Sequence, residues 1–149
     1  MPRKPKQKTL TQLKRLLDLV HSRHIRLRAA NDDGLASCVT CAPARLVPWT
    51  ELQAGHFASR RHQFHRWDLD HGNVNPQCVA CNRFDQGRQW AHGQYIDQKH
   101  GEGSAAWLWK TRKTSAPMDR TELEALLAFM LAYNTARIKQ IKEHQDTKP

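Results

Sequence analysis

Apolar residues near the N-terminus recur at three- and four-residue steps, which is the period of an amphipathic helix. Thr9 or Thr11 can cap this helix, and the turn signal NDDG at 31–34 ends it after about Arg28. One face is predicted to pack against the rest of the protein, and its members are Leu13, Leu16, Leu17, Val20, His24 and Leu27. The basic side chains lie largely on the other faces, where they either meet phosphates or are simply solvated.

The C-terminal part shows the same periodicity over a longer stretch. Asp119, with Glu122 three residues later, has the spacing of a capping box. Apolar residues then recur as far as Ile141, which predicts a long amphipathic helix to about His144. This helix and the N-terminal helix are the candidate interface of a homodimer, although both could equally pack within one subunit.

Between the long helices the pattern changes to short segments. Leu52–Phe57 predicts a strand, and Phe64–Leu69, where apolar and polar residues alternate, predicts a second one. Pro43 and Pro48 predict an irregular link, and a short helix is expected from Cys81 to Gly87. Shorter helical pieces are expected over 94–99 and 105–109, with Trp107 and Leu108 available for the core.

These elements divide the chain into three parts, and the fold class is predicted to be α+β and mainly helical. The parts are a basic arm and amphipathic helix over 1–30, a core over 31–95 and a helical C-terminal region over 96–149. A chain of 149 residues suffices for one domain, or for one small domain with helical arms. Trp49, Trp67 and Trp90 are expected in the core rather than as base-stacking residues, because aromatic side chains dominate small cores.

The charge of the chain favours a polyanionic partner, since the net charge is +10 and the pI is near 9.9. Residues 1–28 hold nine Lys/Arg side chains and a single acid, Asp18, whereas residues 119–149 hold five of each sign. DNA contact is therefore expected to begin at the N-terminal arm, unless that arm is a mere solubilising tail. Met1–Lys8 is expected to become ordered only on DNA. The candidate DNA-binding residues of the helix are Lys14, Arg15, Arg23 and Arg26.

All four cysteines fall into two Cys-x-x-Cys pairs, Cys38 with Cys41 and Cys78 with Cys81. No apolar run is long enough to cross a bilayer, and the N-terminus lacks the apolar stretch of a secretory signal. We therefore expect a cytoplasmic protein, in which paired cysteines more often hold metal than form disulfides. Four thiolates bind zinc tetrahedrally and leave no open position, which favours a structural zinc over disulfides or a redox dithiol.

His56 is the leading candidate for catalysis, because it ends a predicted strand between the two cysteine pairs. A neutral imidazole there could act as a general base on water, assisted by a divalent cation such as magnesium or manganese. Asn82 and Asp85, one helical turn apart, could supply oxygen ligands. Asn73 could tie down the loop or orient His56. Each also has a bland alternative: Asn73 as a turn former, Asn82 as a cap and Asp85 as a solvated charge.

The segments CVTC, ELQAGHFASR, RWD and GNVNPQCVACN, followed by Gly87 and Tyr95, resemble the NinG (Rap) recombination proteins of lambdoid phages. More broadly, this order of motifs is similar to the zinc-containing HNH or ββα-metal endonucleases, including phage endonuclease VII. The match covers roughly Cys38 to Tyr95. It implies a zinc-stapled ββα-metal core and a phage- or prophage-encoded enzyme of the bacterial host cell. The implied activity is a structure-specific endonuclease that cuts Holliday junctions and D-loops.

The resemblance also assigns roles by position. His56 matches the general base and Asn73 the central asparagine, while Asn82 and Asp85 match residues that bind the catalytic metal. The structural zinc ligands match Cys38, Cys41, Cys78 and Cys81. Because a Holliday junction has two-fold symmetry, resolution by a homodimer is expected.

Gly55 is the one departure from this resemblance, because HNH enzymes usually carry an acidic metal ligand directly before the histidine. Glu51, Asp68 or Asp70 could replace that ligand. Arg60 and Arg61 follow the base and could clamp the scissile phosphate, since guanidinium forks fit phosphate oxygens. Two alternatives stay open: a non-catalytic zinc module that binds branched DNA, and a nonspecific HNH nuclease.

Overall fold

The computed structural model describes residues 6–149, and for Ala42 it describes the backbone alone. Four helices and four strands make up the fold: α1 Leu10–Ala29, β1 Leu35–Cys38, β2 Ala42–Pro48, β3 Gln53–His56, β4 Val74–Gln77, α2 Gln89–His100, α3 Ser104–Thr111 and α4 Arg120–Asp146. Short 3-10 turns lie at Trp49–Glu51 and Gln63–His65, and a π-helical turn lies at Ala80–Phe84. The fold is thus mixed α and β, and mainly helical. Met1–Pro5 of the predicted basic arm lie outside the described residues.

Both predicted terminal helices are confirmed. Thr9 caps α1 and Asp119 caps α4, each through a capping box with the residue three positions later. The two helices pack on each other within one chain, and their shared core contains Leu13, Leu17, Val20, Trp67, Leu123 and Met130. Much of the apolar surface of the two candidate dimer elements is therefore used inside the subunit.

The strands form two separate antiparallel pairs, β1 with β2 and β3 with β4. The prediction of β3 is confirmed, but the prediction of a strand at Phe64–Leu69 is wrong, because that segment is a 3-10 turn and a loop. Val74–Gln77 pairs with β3 instead, and places His56 opposite Val74. All four residues of β4 are buried, so this strand shows no alternation of apolar and polar residues.

The irregular link predicted between Pro43 and Pro48 is also wrong, since this segment is β2. It pairs with β1 through an irregular register between Ala36 and Cys38. Proline is tolerated there because a two-stranded sheet consists only of edge strands. The pair β1–β2 carries Cys38 and Cys41 at its turn, which places one half of the cysteine cluster.

Two helices complete the fold on the C-terminal side. The helical pieces predicted over 94–99 and 105–109 are confirmed as parts of the longer α2 and α3. Leu108 is buried as expected, whereas Trp90 is 77% exposed and lies outside the core, contrary to the prediction. Within residues 6–149, no helix is long and apolar enough to span a bilayer.

Candidate functional site

The four cysteine sulfurs lie together, all within 4.8 Å of one another. Cys38 ends β1, and Cys41 follows in the turn. Cys78 directly follows β4, and Cys81 lies in the π-helical turn. The Sγ atoms of Cys41 and Cys78 are 3.7 Å apart. The edge of a tetrahedron with zinc–sulfur bonds of about 2.3 Å is about 3.8 Å. The cysteines form no disulfides, and their cluster could hold a structural metal such as zinc.

A chain of hydrogen bonds supports one of these sulfurs. The buried Gln77 donates from Nε2 to the hydroxyl oxygen of Thr40 at 3.0 Å, and Thr40 lies 3.4 Å from Cys38 Sγ. Burial raises the pKa of Cys38, but hydrogen bonds from Thr40 and nearby backbone groups outweigh it and lower that pKa to about 6. The Thr40 hydroxyl is therefore placed to donate to a Cys38 thiolate, the form that binds metal.

Replacing Thr40 with Val should weaken zinc binding roughly 10- to 100-fold, the usual effect of removing a partner of a metal ligand. The measurement is competition for zinc with a chromophoric chelator. Thr114→Val serves as the matched control, because Thr114 is exposed and lies in the linker before α4. Equal zinc affinities of Thr40→Val and wild type would contradict this role of Thr40.

A cleft of about 740 Å³ opens between α1, β3 and the π-helical turn, and we call it the His56 cleft. It brings together five of the residues predicted from the sequence, which are Arg26, Glu51, His56, Arg60 and Asn82. Further lining residues include Asp18 and His21 from α1, Gln53 from β3 and Arg83 from the π-helical turn. The cleft thus combines an imidazole, a carboxamide and several guanidinium groups on one surface.

His56 is held in a single orientation by the backbone. Its Nε2 lies 2.9 Å from the carbonyl oxygen of Arg66. A carbonyl only accepts, so Nε2 carries the proton and Nδ1 carries the lone pair. Burial lowers the pKa of His56, and the charges of Arg60 and Arg66 lower it further, against the raising effects of the Arg66 carbonyl and Asp18. The neutral ring has the form that a general base requires.

Asn73 does not line the His56 cleft but is fully buried beneath the loop that follows His56. Its Oδ1 accepts from the backbone N–H of Ala58 at 2.7 Å, and its Nδ2 donates to the carbonyls of Ala58 and His65 at 3.1 and 3.0 Å. Asn73 therefore closes the β3–β4 loop (residues 57–73) on itself. Two roles were considered for Asn73, holding the loop in place and orienting His56. Its hydrogen bonds are those of a residue that holds the loop in place.

The two residues predicted to bind a catalytic metal are separated. Asn82 lines the His56 cleft and donates from Nδ2 to Gln53 Oε1 at 2.9 Å, so its carbonyl oxygen is the atom that can ligate. Asp85 follows the end of the π-helical turn, is exposed and does not line the cleft. It forms an ion pair with Arg88 at 3.3 Å. The structure therefore brings Asn82, but not Asp85, to His56.

Gly55 has a structural reason to lack a side chain. A Cβ atom at this position would lie 1.8 Å from Oε1 of the fully buried Gln77. Of the carboxylates considered as substitutes, Glu51 lines the His56 cleft. Asp68 instead accepts hydrogen bonds from the backbones of His71 and Asn73, and Asp70 lies outside the cleft.

Replacing Gly55 with Ala should destabilise the protein by about 1–3 kcal/mol, because the added methyl group overpacks against Gln77. Urea denaturation measures the change. Gly93→Ala is the control, because a Cβ at position 93 lies at an ordinary 3.4 Å from the Phe57 ring. This substitution also replaces a glycine in the interior of α2, so it should not destabilise the protein. If Gly55→Ala is as stable as wild type, the packing reason for this glycine is wrong.

The predicted DNA-binding residues fall into two groups. Arg26 and Arg60 line the His56 cleft. Arg26 also donates to the carbonyl of Leu52 at 3.2 Å, and its guanidinium carbon lies 5.2 Å from the centre of the Trp49 ring. The other predicted residues lie outside the cleft, and these are Lys14, Arg15, Arg23 and Arg61.

The sequence did not indicate Asp18 and His21 as residues of the site. Both lie on α1 and line the cleft, and the rings of His21 and His56 are 6.2 Å apart between centroids. One signal was present in the chain, because Asp18 is the only acid among residues 1–28 and precedes His21 by one helical turn.

Comparisons of the chain with protein-family models, curated proteins and solved structures returned no match. The NinG and HNH resemblance therefore stays a prediction.

Proposed function

We propose that the protein is a metal-dependent endonuclease that cuts branched DNA, with His56 as its general base. The observation that carries the proposal is the His56 cleft, where a neutral imidazole oriented by the Arg66 carbonyl faces the same space as Arg26, Arg60 and Asn82. The net charge of +10 suits a polyanionic substrate. The motifs between Cys38 and Tyr95 add the resemblance to HNH and NinG proteins.

The reaction is hydrolysis of a phosphodiester. His56 Nδ1 takes a proton from water while the water oxygen attacks phosphorus, and the bond from phosphorus to the leaving oxygen breaks. The guanidinium groups of Arg26, Arg60 and Arg83 hold the phosphate oxygens. In-line attack requires the attacking water and the leaving oxygen on opposite sides of phosphorus, and the leaving oxygen receives a proton from solvent.

A divalent cation, when bound, supplies charge stabilisation at the phosphate and the leaving oxygen. Among the ligands considered from the sequence, Glu51 and Asn82 line the cleft, and magnesium or manganese prefers such oxygen ligands. Asp18 also lines the cleft, but its carboxylate is already bound to Arg66. We propose a structural role for a zinc ion at the four cysteines, because such a site offers no open coordination position.

The test is cleavage of matched linear duplex, flap, D-loop and four-way DNAs with magnesium, manganese or EDTA. We expect nicks in the branched DNAs that require a divalent cation. Equal cutting of linear and branched DNA would favour a nonspecific nuclease. Gel filtration with light scattering on a four-way junction tests the proposed homodimer.

A second candidate function is a non-catalytic zinc module that binds and presents branched DNA. Gly55 favours it, because the position where an acidic ligand is expected is closed by Gln77. This function predicts tight, salt-sensitive binding of junctions without nicks under any divalent cation. The cleavage assay, run beside a binding titration over a range of salt concentrations, separates it from the nuclease.

A further inference from the structure

We propose that Asp18 and His21 of α1 are positioning residues for His56. They hold the loop segment Arg66–Asp68, and the carbonyl of Arg66 sets the orientation of the His56 ring. The inference rests on the proposed function, in which His56 is the base. It assigns to α1 a part in the site beyond packing and beyond contact with DNA.

Asp18 holds the first two residues of this segment. Its carboxylate accepts from Arg66 Nε at 2.9 Å and from Arg66 Nη2 at 2.6 Å, a bidentate ion pair. The same carboxylate accepts from the indole Nε1 of Trp67 at 3.0 Å. Both partners of the ion pair are largely buried, with side-chain exposures near one fifth. Burial raises the pKa of Asp18, but these partners outweigh it and lower that pKa, so the carboxylate is charged.

His21 holds the third residue of the segment from the next turn of α1. Its Nε2 lies 2.9 Å from the carbonyl oxygen of Asp68, and the ring is buried. Residues three apart share one face of a helix, so Asp18 and His21 reach the same stretch of backbone. Three consecutive loop residues, 66 to 68, are thereby fixed to one face of α1 by side-chain hydrogen bonds.

The fixed segment contains the acceptor that orients the base. Arg66, whose side chain is bound by Asp18, is also the residue whose carbonyl oxygen lies 2.9 Å from His56 Nε2. A shift of this peptide would break the hydrogen bond from His56 Nε2 to the Arg66 carbonyl and would change the direction in which Nδ1 points. Misplacement of a catalytic group by about 1 Å can cost roughly 100-fold in rate. Asp18 therefore acts on the base through one residue, Arg66, and His21 acts on the same loop segment through the backbone of Asp68.

Asp18 also contributes charge at the base. The charged groups that act on the pKa of His56 are Asp18 from α1 and Arg60 and Arg66 from the loop. His56 in turn lowers the pKa of His21 on α1 and of His92 on α2. Asp18 is the anionic member of this set, and its charge raises the pKa of His56. Removing that charge should lower the pKa of His56 further, because the imidazolium form loses its counter-charge.

The experiment compares Asp18→Asn, the conservative Asp18→Glu and wild type. For Asp18→Asn we expect loss of the hydrogen-bonded Nε2 proton of His56 in the proton NMR spectrum. We also expect kcat to fall roughly 10- to 100-fold with little change in KM, as misplacement of a base predicts. The acid limb of the pH profile should move to lower pH. Asp18→Glu should recover part of the wild-type behaviour in each of the three measurements.

Two controls separate positioning from general stability. Glu124→Gln breaks the exposed ion pair with Arg120 on α4 and should leave all three measurements unchanged. His21→Gln keeps an N–H donor for the Asp68 carbonyl, whereas His21→Leu removes it. If Asp18→Asn does not fold, the two His21 variants test the inference instead. We then expect the His56 Nε2 proton to be retained in His21→Gln and lost in His21→Leu.

The inference is overturned if Asp18→Asn and His21→Leu both fold and keep the His56 Nε2 proton as in wild type. The NMR measurement needs no DNA cleavage, so it distinguishes this failure from failure of the proposed function. A wild type that cuts no DNA, with the proton lost in Asp18→Asn, would refute the nuclease and support the positioning of His56 by α1.

Discussion

Cleavage of a four-way DNA junction should slow by roughly 10²- to 10⁴-fold when His56 is replaced by Ala, the usual contribution of a general base. The reason is that Nδ1 is the basic atom of the His56 ring, and the Arg66 carbonyl orients this ring in the His56 cleft. The measurement is the single-turnover cleavage rate in magnesium or manganese. Binding of the junction should change little, because the guanidinium groups of the cleft remain.

Two variants serve as controls for this result. His62→Ala removes another histidine of the same loop, but His62 does not line the cleft, so the rate should stay near that of wild type. Asp85→Asn should also cut at nearly the wild-type rate, because Asp85 pairs with Arg88 outside the cleft. An His56→Ala protein that cuts the junction as fast as wild type would exclude His56 as the base.

The pH dependence of cleavage gives a separate check on His56. Burial lowers the pKa of the ring from its ordinary value of 6.5, so the neutral form persists below that pH. Cleavage should therefore continue as the pH falls through 6.5 and decline only at lower pH, where Nδ1 gains a proton and the ring becomes charged. This acid limb should disappear from the residual activity of His56→Ala.

Replacing Cys81 with Ser should remove the bound metal and unfold the centre of the molecule. Cys81 is buried in a core cluster with Leu27, Leu52 and Ile141, so the cysteine cluster and the hydrophobic core are continuous. Structural zinc binds to small modules with about 10–16 kcal/mol of apparent free energy. Total stabilities of domains are only about 5–15 kcal/mol. The metal contribution is thus as large as the whole stability of a typical domain, so its loss should unfold this part of the fold.

The measurements for Cys81→Ser are the zinc content of the purified protein and its thermal unfolding with and without a strong chelator. Wild type should carry one zinc per chain, and the chelator should lower its melting temperature toward that of the variant. Ser37→Ala, next to Cys38 on β1, is the control and should keep its zinc. A Cys81→Ser protein with one bound zinc and an unchanged melting temperature would refute a structural metal at the four cysteines.

Local signals explain which parts of the fold were predictable. The ends of α1 and α4 follow from capping boxes, in which the interacting residues are three positions apart. The strand β4 had no such signal, because burial of all four residues from Val74 to Gln77 removes the alternation that marks a half-buried strand. Phe64–Leu69 shows that alternation but lies in a loop, where Trp67 is buried against α1 and α4.

The candidate site divides in the same way. Cysteine spacing was enough to predict that the four sulfurs could hold a metal, and the position of His56 was enough to make it the candidate base. Nothing in the spacing showed that Asp85 pairs with Arg88. The closure of position 55 by Gln77 depends on the pairing of β3 with β4, which places Gln77 beside the β3 backbone.

Sequence patterns alone predicted the two terminal helices, the grouping of the four cysteines and His56 as the residue to test. The capping boxes and each Cys-x-x-Cys pair depend on residues close together in the chain, whereas the meeting of the two pairs joins Cys41 to Cys78, 37 positions away. Tertiary packing makes α1 one wall of the His56 cleft and brings Asp18 to Arg66, 48 residues away. Such contacts arise because helix packing buries charged and polar groups that must then find partners, and no local pattern specifies which partner is within reach.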